Sequence, residues 1–232
     1  MSLFDGITIQ CPVCDTLADF DAAGSVNADR RPDLREDILQ DRFQVLACPS
    51  CGEPMRLEPL FNYLDMEHGL WLAAYPPGRI GDHLALEDEV QDLFDRSYGA
   101  QATPAAQEVG EGLRPRLTFG WPATREKLFL RQHDLNDISV EMMKLDLLRR
   151  LPEAPLRPGV ELRLVDVLDN TFAMIWIETE AEEVVQEFEV SRALLAEIEG
   201  DPEAWEPVRR SLTSGIFVDM QKLYLGEGRD AA

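Results

Sequence analysis

Four cysteines, all within the first 51 residues, are the side chains of this sequence best suited to chemistry. They form two Cys-Pro-x-Cys pairs, Cys11 with Cys14 and Cys48 with Cys51, and 33 residues separate the pairs. Zn²⁺ prefers four tetrahedral ligands and binds thiolates well. The spacing therefore predicts one zinc ion held by all four cysteines. Because every ligand comes from the protein, no position is left for water or substrate, and the site is predicted to be structural.

Three other interpretations of the cysteine pairs stay open, although each fits less well. Two disulfides would need an oxidising compartment. A redox-active pair normally occurs once in a chain, where it opens a helix. An iron–sulfur centre or another soft metal would use the same thiolates.

The residues around each pair favour a tight turn. Pro12 and Pro49 fix φ directly after the first cysteine of each pair. Gly52 follows the second pair, where a left-handed backbone conformation closes the turn, and glycine adopts it freely. Asp15 takes this place after the first pair and tolerates the conformation less well.

Hydrophobic patterns indicate the elements that must position the cysteines. Residues 7–9 and 43–45 alternate between apolar and polar side chains and predict a short strand leading into each pair. Residues 32–42 begin with a proline and repeat apolar side chains at helical spacing, which predicts a helix. Residues 55–63 and 70–75 predict a β-hairpin after the second pair.

The whole chain is predicted to be α+β, with three parts separated by proline-rich breaks. Residues 1–78 form a zinc ribbon with a helical insert between its knuckles. Residues 79–152 form a helical region, in which 99–115, rich in Ala, Gly, Gln and Pro, is a mobile linker. Residues 153–232 form a three-stranded antiparallel sheet with helices.

The elements predicted beyond residue 78 are helices at 84–97 and 124–151, strands at 162–168, 171–178 and 184–190, and helices at 191–200 and 202–213. The long helical stretch 124–151 is expected to divide into two helices, with Asp134 or Asp137 as the N-cap of the second. Ser191 is expected to cap the helix that follows the three strands.

The composition excludes several functions. Lys and Arg total 22 and Asp and Glu total 44, so the net charge is −22 and the sequence pI is about 4.4. Such a charge disfavours bulk electrostatic binding to nucleic acid or to an anionic membrane. No apolar run approaches the roughly 20 residues of a membrane helix. The first residues lack the features of a signal peptide, so a cytoplasmic protein is expected.

With these motifs in view, the sequence resembles the CpXC domain family, which takes its name from the two Cys-Pro-x-Cys motifs. Further similar stretches are Ser-Val-Asn-Ala at 25–28, Pro-Asp-Leu-Arg at 32–35, Phe-Gln-Val at 43–45, Pro-Leu-Phe-Asn-Tyr-Leu-Asp at 59–65, Tyr-Pro at 75–76 and the stretch 124–144. The resemblance spans roughly residues 5–150 and implies metal binding through the four cysteines. Asp15 departs from the glycine that usually follows the first motif but leaves the four ligands intact. The resemblance implies no biochemical activity.

The preferred function is therefore a zinc-binding, non-enzymatic interaction or scaffold protein, whose partner is another protein or a second copy of the chain. An acidic cluster, Glu180, Glu182 and Glu183, is one candidate surface for a basic partner, although such runs are usually a solvated turn.

Two alternatives are a nucleic-acid-associated zinc module and an enzyme of unrecognised class. The first depends on a patch of mixed basic and aromatic side chains, which suits single strands: Arg114, Arg116, Arg125, Lys127 and Arg131, with Phe119, Trp121 and Phe129. For the second, no nucleophile elbow, phosphate-binding glycine loop or His-Glu-x-x-His motif occurs. No catalytic or cofactor-binding residue is therefore predicted apart from the metal ligands.

Overall fold

The computed structural model of the chain describes residues 2–151, 154–155 and 157–225. The strands are β1 (Leu3–Gln10), β2 (Leu17–Asn27), β3 (Val45–Ala47), β4 (Pro54–Arg56), β5 (Phe61–Asp65), β6 (Leu70–Tyr75), β7 (Arg114–Phe119), β8 (Val160–Val167), β9 (Thr171–Glu178) and β10 (Glu183–Ser191). The helices are α1 (Pro32–Leu39), α2 (His83–Ser97), α3 (Pro104–Gly110), α4 (Gly120–Gln132), α5 (Asp137–Arg150), α6 (Arg192–Gly200), α7 (Pro202–Leu212) and α8 (Lys222–Leu225), and a 3₁₀ helix spans Pro77–Asp82. The fold is α+β, as predicted.

The larger sheet has five strands in the order β1-β2-β5-β6-β7. β1 with β2 and β5 with β6 are antiparallel hairpins, whereas β2 pairs with β5 and β6 pairs with β7 in parallel. Leu70 and Leu72 of β6 face a core shared with α1 and α4, and Trp71 between them faces a second core shared with α2. The sheet is thus covered on both faces around β6, which is usual where strands run parallel, whereas β1 at its edge is mostly exposed.

The predicted boundary at residue 78 falls inside this sheet, because β6 before it pairs with β7 after it. The segment 99–115, predicted as a mobile linker, contains helix α3 and the start of β7. Its glycine content reflects close packing, since a Cβ on Gly110 would overlap the carbonyl oxygen of Tyr98. The first two predicted parts therefore share one sheet. The predicted boundary between residues 152 and 153 lies outside the described residues.

The hairpin after the second cysteine pair is shorter than predicted. Met55 belongs to β4, which pairs with β3 in a separate two-stranded sheet, and it lies opposite Leu46. Phe61–Asp65 pairs instead with Leu70–Tyr75.

The second large sheet is the predicted three-stranded antiparallel sheet, in the order β10-β9-β8. Its inner face packs against α5, α6 and α7 through side chains such as Leu164, Met174 and Trp176. Ser191 accepts a hydrogen bond from the backbone N–H of Ala193 and caps α6, as predicted. In the described part of the chain, no helix has the length and apolar character needed to cross a membrane.

The stretch 124–151 divides into two helices as predicted, but its cap differs. Asn136 is the N-cap of α5, and its side chain accepts a hydrogen bond from Ile138 N–H at 3.0 Å. Asp134 adopts a left-handed conformation in the turn, with φ 53°. Asp137 turns inward instead, where its carboxylate pairs with Arg116 at 2.6 Å.

A buried network of ten charged side chains connects the two large sheets. Its members are Arg116, Lys127, Arg131, Lys144 and Arg163, with Glu126, Asp137, Glu141, Glu161 and Asp219. Arg163 of β8 contacts Glu126 of α4 at 2.9 Å and Asp219 near the C-terminus at 2.7 Å. Five positive and five negative side chains balance one another, so the network is neutral when all are ionised. Buried charges need such pairing because desolvation is costly.

Candidate metal centre

Two short hairpins present the cysteines in equivalent turns. Cys11 and Cys14 lie between β1 and β2, and Cys48 and Cys51 lie between β3 and β4. In the first turn, Cys11 N–H donates to the carbonyl five residues ahead at 2.9 Å, and in the second Cys48 N–H does the same at 2.8 Å. In both turns the residue four ahead donates back to the carbonyl of the first cysteine, at 3.0 and 2.9 Å. The two turns therefore have the same backbone geometry.

The position after each pair adopts the left-handed conformation. Gly52 has φ 77° and Asp15 has φ 58°. The carboxylate of Asp15 accepts a hydrogen bond from the side-chain amide of Gln10 at 3.0 Å, which holds it across the end of the hairpin. An aspartate in place of the usual glycine thus leaves the turn unchanged.

The four sulfur atoms converge on one point. All of them lie within 4.8 Å of one another. The Sγ atoms of Cys14 and Cys48 are 3.6 Å apart, and those of Cys11 and Cys51 are 3.7 Å apart. Tetrahedral ligation with metal–sulfur bonds of about 2.3 Å would separate the sulfurs by about 3.8 Å. The donor set therefore fits a single metal ion, and the shortest sulfur–sulfur distances join one hairpin to the other.

The thiols do not ionise alike. Hydrogen bonds from the side chain and backbone of Thr16 lower the pKa of Cys14 to about 6. The pKa of Cys51 rises to about 12, because the other thiols and burial outweigh a hydrogen bond from the backbone of Glu53. Four adjacent thiols cannot all lose their protons without a cation to offset the mutual repulsion. A bound divalent ion would supply that charge and fix all four as thiolates.

Little besides the cysteines holds the second hairpin against the first. Cys11 and Cys48 are buried with Ala18 and Met55 in a small apolar cluster, and Ile9, Cys14 and Leu46 are partly buried against it. Beyond it, the side chain of Gln44 accepts a hydrogen bond from Ala23 N–H and donates one to the carbonyl of Asp21. A metal ion at the four sulfurs would therefore supply much of the contact between the hairpins.

A family model described as CpXC protein matches residues 9–144, which is more than half of the chain. This chain belongs to the CpXC family. The matched CpXC region contains both cysteine pairs and extends into α5, so the resemblance inferred from the motifs is confirmed. No curated protein and no solved structure matches the chain.

The basic and aromatic side chains of the candidate nucleic-acid patch do not form one exposed surface: Arg114 is exposed, Phe129 and Arg131 are half-buried, and most of the others are buried. Arg116 and Lys127 are buried in the charged network. Arg125 pairs with Asp41 and with Glu182. The aromatic members Phe119 and Trp121 are buried in the two cores of the larger sheet. The nucleic-acid alternative thus loses most of the patch on which it depended, because α4 packs against β6, β7 and β8 and its Glu126 and Lys127 are buried.

The charged network is the feature that the sequence analysis missed. Glu141 and Lys144 lie one helical turn apart in α5, and Met142 and Met143 between them are fully buried. A sign of this burial was present in the sequence, because Glu141 and Lys144 are separated only by apolar residues. A helix that is buried on several sides leaves its charged residues no exposed face. Their partners, such as Arg163, are distant in sequence, and periodicity alone does not identify them.

Proposed function

We propose that this protein binds one structural zinc ion through Cys11, Cys14, Cys48 and Cys51 and acts as a non-enzymatic interaction or scaffold protein. The observation that carries the proposal is the convergence of the four sulfurs, at separations that suit a tetrahedral ion. Four thiolates in this geometry favour zinc or an iron–sulfur centre. Zinc suits a pair of equivalent turns that each offer two sulfurs to one ion.

In this proposal the two hairpins are the arms of a zinc ribbon, and α1 is the insert between them. The ion closes the loop between the pairs and stabilises the small cluster around Cys11 and Cys48. Because four protein ligands complete the coordination, no open position remains for a reacting water. This supports a role in folding and interaction. The four thiols are free, which suits the reducing cytoplasm.

Metal analysis of the purified protein and of two variants tests the zinc proposal. Wild type is expected to carry about one equivalent of zinc, and Cys48→Ser to lose it. Thiolate zinc sites contribute on the order of 10 kcal/mol to folding, comparable to the whole stability of a domain. The variant is therefore expected to lose amide-exchange protection in β1 to β4.

Ser50→Ala is the matched control, since Ser50 is exposed in the same turn and is not a ligand. It is expected to keep both the zinc and the protection. If the purified wild type contained iron and absorbed visible light, the site would hold an iron–sulfur cluster and not a zinc ion. Absence of any metal, with unchanged exchange in Cys48→Ser, would refute the site.

A further inference from the structure

The three-stranded sheet has a second face that is only partly covered. Opposite its packed inner side, β9 directs Ile175 and Ile177 toward this face, where they lie opposite Glu187 and Val184 of β10. Ile175 is half-buried, whereas Ile177 is buried. Val165 and Val184 are 42% and 48% exposed, and Val185 at the neighbouring bulge is 45% exposed. We name this surface, formed by Val165, Ala173, Ile175, Ile177, Val184 and Glu187, the open face.

A cavity of about 210 Å³ lies where α4 meets the open face. Its apolar walls are Leu39, Pro122, Phe129, Val165, Ile175 and Ile177. The charged groups that also line it are already paired. Arg125 pairs with Asp41 and Glu182, and Glu126 accepts from Lys144, Arg163 and the N–H of Leu164. An occupant would therefore contact mainly the apolar walls. The volume is below the roughly 300 Å³ of the smallest usual small-molecule sites, and it suits one apolar side chain.

The surroundings of the open face are acidic. Between Val160 and Ser191 the only basic side chain is Arg163, which is buried. β10 is an edge strand, and its Glu187 and Glu189 are exposed on the side of Ile175 and Ala173. A ligand with positive charges around an apolar side is the complement of such a surface.

A second copy of the chain is a poor complement. Two β10 strands brought together would set glutamates against glutamates, and like charges across strands are destabilising. The net charge of −22 adds repulsion between whole molecules. A sheet face with apolar rows is usually covered by a helix whose apolar stripe lies on it.

We propose that the open face binds a basic amphipathic helix of a partner protein, with one apolar side chain of that helix in the cavity. The Lys and Arg side chains of the helix would lie against Glu187 and Glu189, which face the same side of the sheet as Ile175 and Ala173. This inference rests on the proposed role as an interaction protein and names the class of partner.

The test uses a dye-labelled synthetic helical peptide with Leu on one side and Lys on the other, and measures its fluorescence anisotropy with the zinc-loaded full chain. Val165→Ser with Val184→Ser removes apolar surface without changing charge, and both positions are exposed enough to spare the fold. Binding is expected to weaken about tenfold, the effect of losing interface contacts worth about 1.4 kcal/mol. Val109→Ser, an exposed valine on α3, is the matched control and is expected to bind like wild type.

A second pair of variants separates local charge from net charge. Glu187→Gln with Glu189→Gln is expected to weaken binding and to reduce its salt dependence. Glu199→Gln with Glu203→Gln makes the same change in net charge on α6 and α7 and is expected to have little effect. A peptide with Ser in place of Leu is expected to bind weakly to every variant.

Equal peptide affinity for wild type and both open-face variants would overturn the inference. So would a concentration-dependent dimer that the serine variants abolish, which would assign the face to self-association. Zinc content is measured on the same samples. A zinc-loaded wild type that does not bind the peptide would therefore refute the docking face alone, whereas absence of metal would refute the proposed zinc function.

Discussion

Neutralising Glu126 perturbs the centre of the buried charged network. Its carboxylate accepts hydrogen bonds from Lys144 Nζ at 2.7 Å, Arg163 Nη1 at 2.9 Å and the backbone N–H of Leu164 at 2.7 Å. Glu126→Gln keeps the size and shape of the side chain. It replaces one acceptor oxygen by an NH₂ group, which would face the donors of a lysine or an arginine. The network would then hold five positive charges against four negative ones.

The expected cost follows from what the neighbours retain. Breaking a buried ion pair by removing one partner costs about 3–5 kcal/mol, because an uncompensated charge stays buried. Lys144 keeps Glu141 at 3.0 Å, and Arg163 keeps Glu161 and Asp219. The loss should therefore lie at the lower end, about 3 kcal/mol. Domains of ordinary stability tolerate such a loss and stay folded.

Urea unfolding followed by tryptophan fluorescence measures this loss, since Trp176 is buried in the core of the second large sheet. The midpoint should fall without a change in the m-value. Glu206→Gln is the control, because Glu206 forms an exposed pair with Arg210 and its loss should leave the midpoint unchanged. Adding Lys144→Met to Glu126→Gln restores charge balance. The double variant should lose less free energy of unfolding than the two single variants lose together, by about 1 kcal/mol or more.

Two outcomes would refute this reasoning. In the first, Glu126→Gln lowers the midpoint no more than Glu206→Gln does, which would mean that the buried charges are not coupled. In the second, the losses of Glu126→Gln and Lys144→Met are additive, which would mean that charge balance in the network is irrelevant.

Two further predictions concern the loss of stability at low pH and the substitution of one glycine. Burial opposes the ionisation of Asp137 and Asp219, but nearby lysine and arginine side chains lower the pKa of both carboxyls, that of Asp219 to about 2. An aspartate ordinarily has a pKa near 3.9. The contribution of these two carboxylates to stability is therefore complete above about pH 5 and is lost as the pH falls toward 2. Unfolding midpoints that stay constant between about pH 5 and 2 would contradict this prediction. Gly120 has φ 82°, and an added Cβ would lie 3.1 Å from Thr179 Cγ2, so Gly120→Ala should cost about 1–2 kcal/mol. Gly200→Ala, at a helix end with open space around it, should lower the midpoint little or not at all in the same urea titration.

Local patterns in the sequence were enough to predict the cysteine turns and the second sheet. Thr171–Glu178 was predicted at its observed bounds, because its apolar alternation and the turn before it involve adjacent residues. Ser191 was predicted as a cap for the same reason. In each case neighbouring residues determine the structure.

Pairing between distant segments was not predictable in this way. β6 pairs in parallel with β7 across the two helices α2 and α3, and the local sequence contains no sign of that register. The composition of residues 99–115, which includes Gly110, predicted a mobile linker. In the structure the absence of a side chain at Gly110 allows close packing against Tyr98. Arg116 and Lys127 were candidates for a surface patch in the nucleic-acid alternative, because the local pattern does not show that Asp137 and Glu141 lie beside them in the core.

The network also changes the meaning of the net charge. It takes five of the 22 basic and five of the 44 acidic side chains, which leaves 17 basic and 39 acidic ones elsewhere in the chain. The whole excess of negative charge therefore lies outside the buried network. Four thiolates with one zinc ion would add to it.

A basic partner would be attracted to much of such a surface, so charge alone cannot select one docking site. Long-range attraction raises the rate of encounter more than it fixes the bound position. Selection between sites must then come from short-range apolar contact, which the open face offers through Val165, Val184 and the cavity beside them. For this reason the serine variants distinguish docking at the open face from general electrostatic attraction more sharply than the glutamine variants do. If only the glutamine variants weakened binding, the peptide would be held by general attraction and the cavity would have no part in recognition.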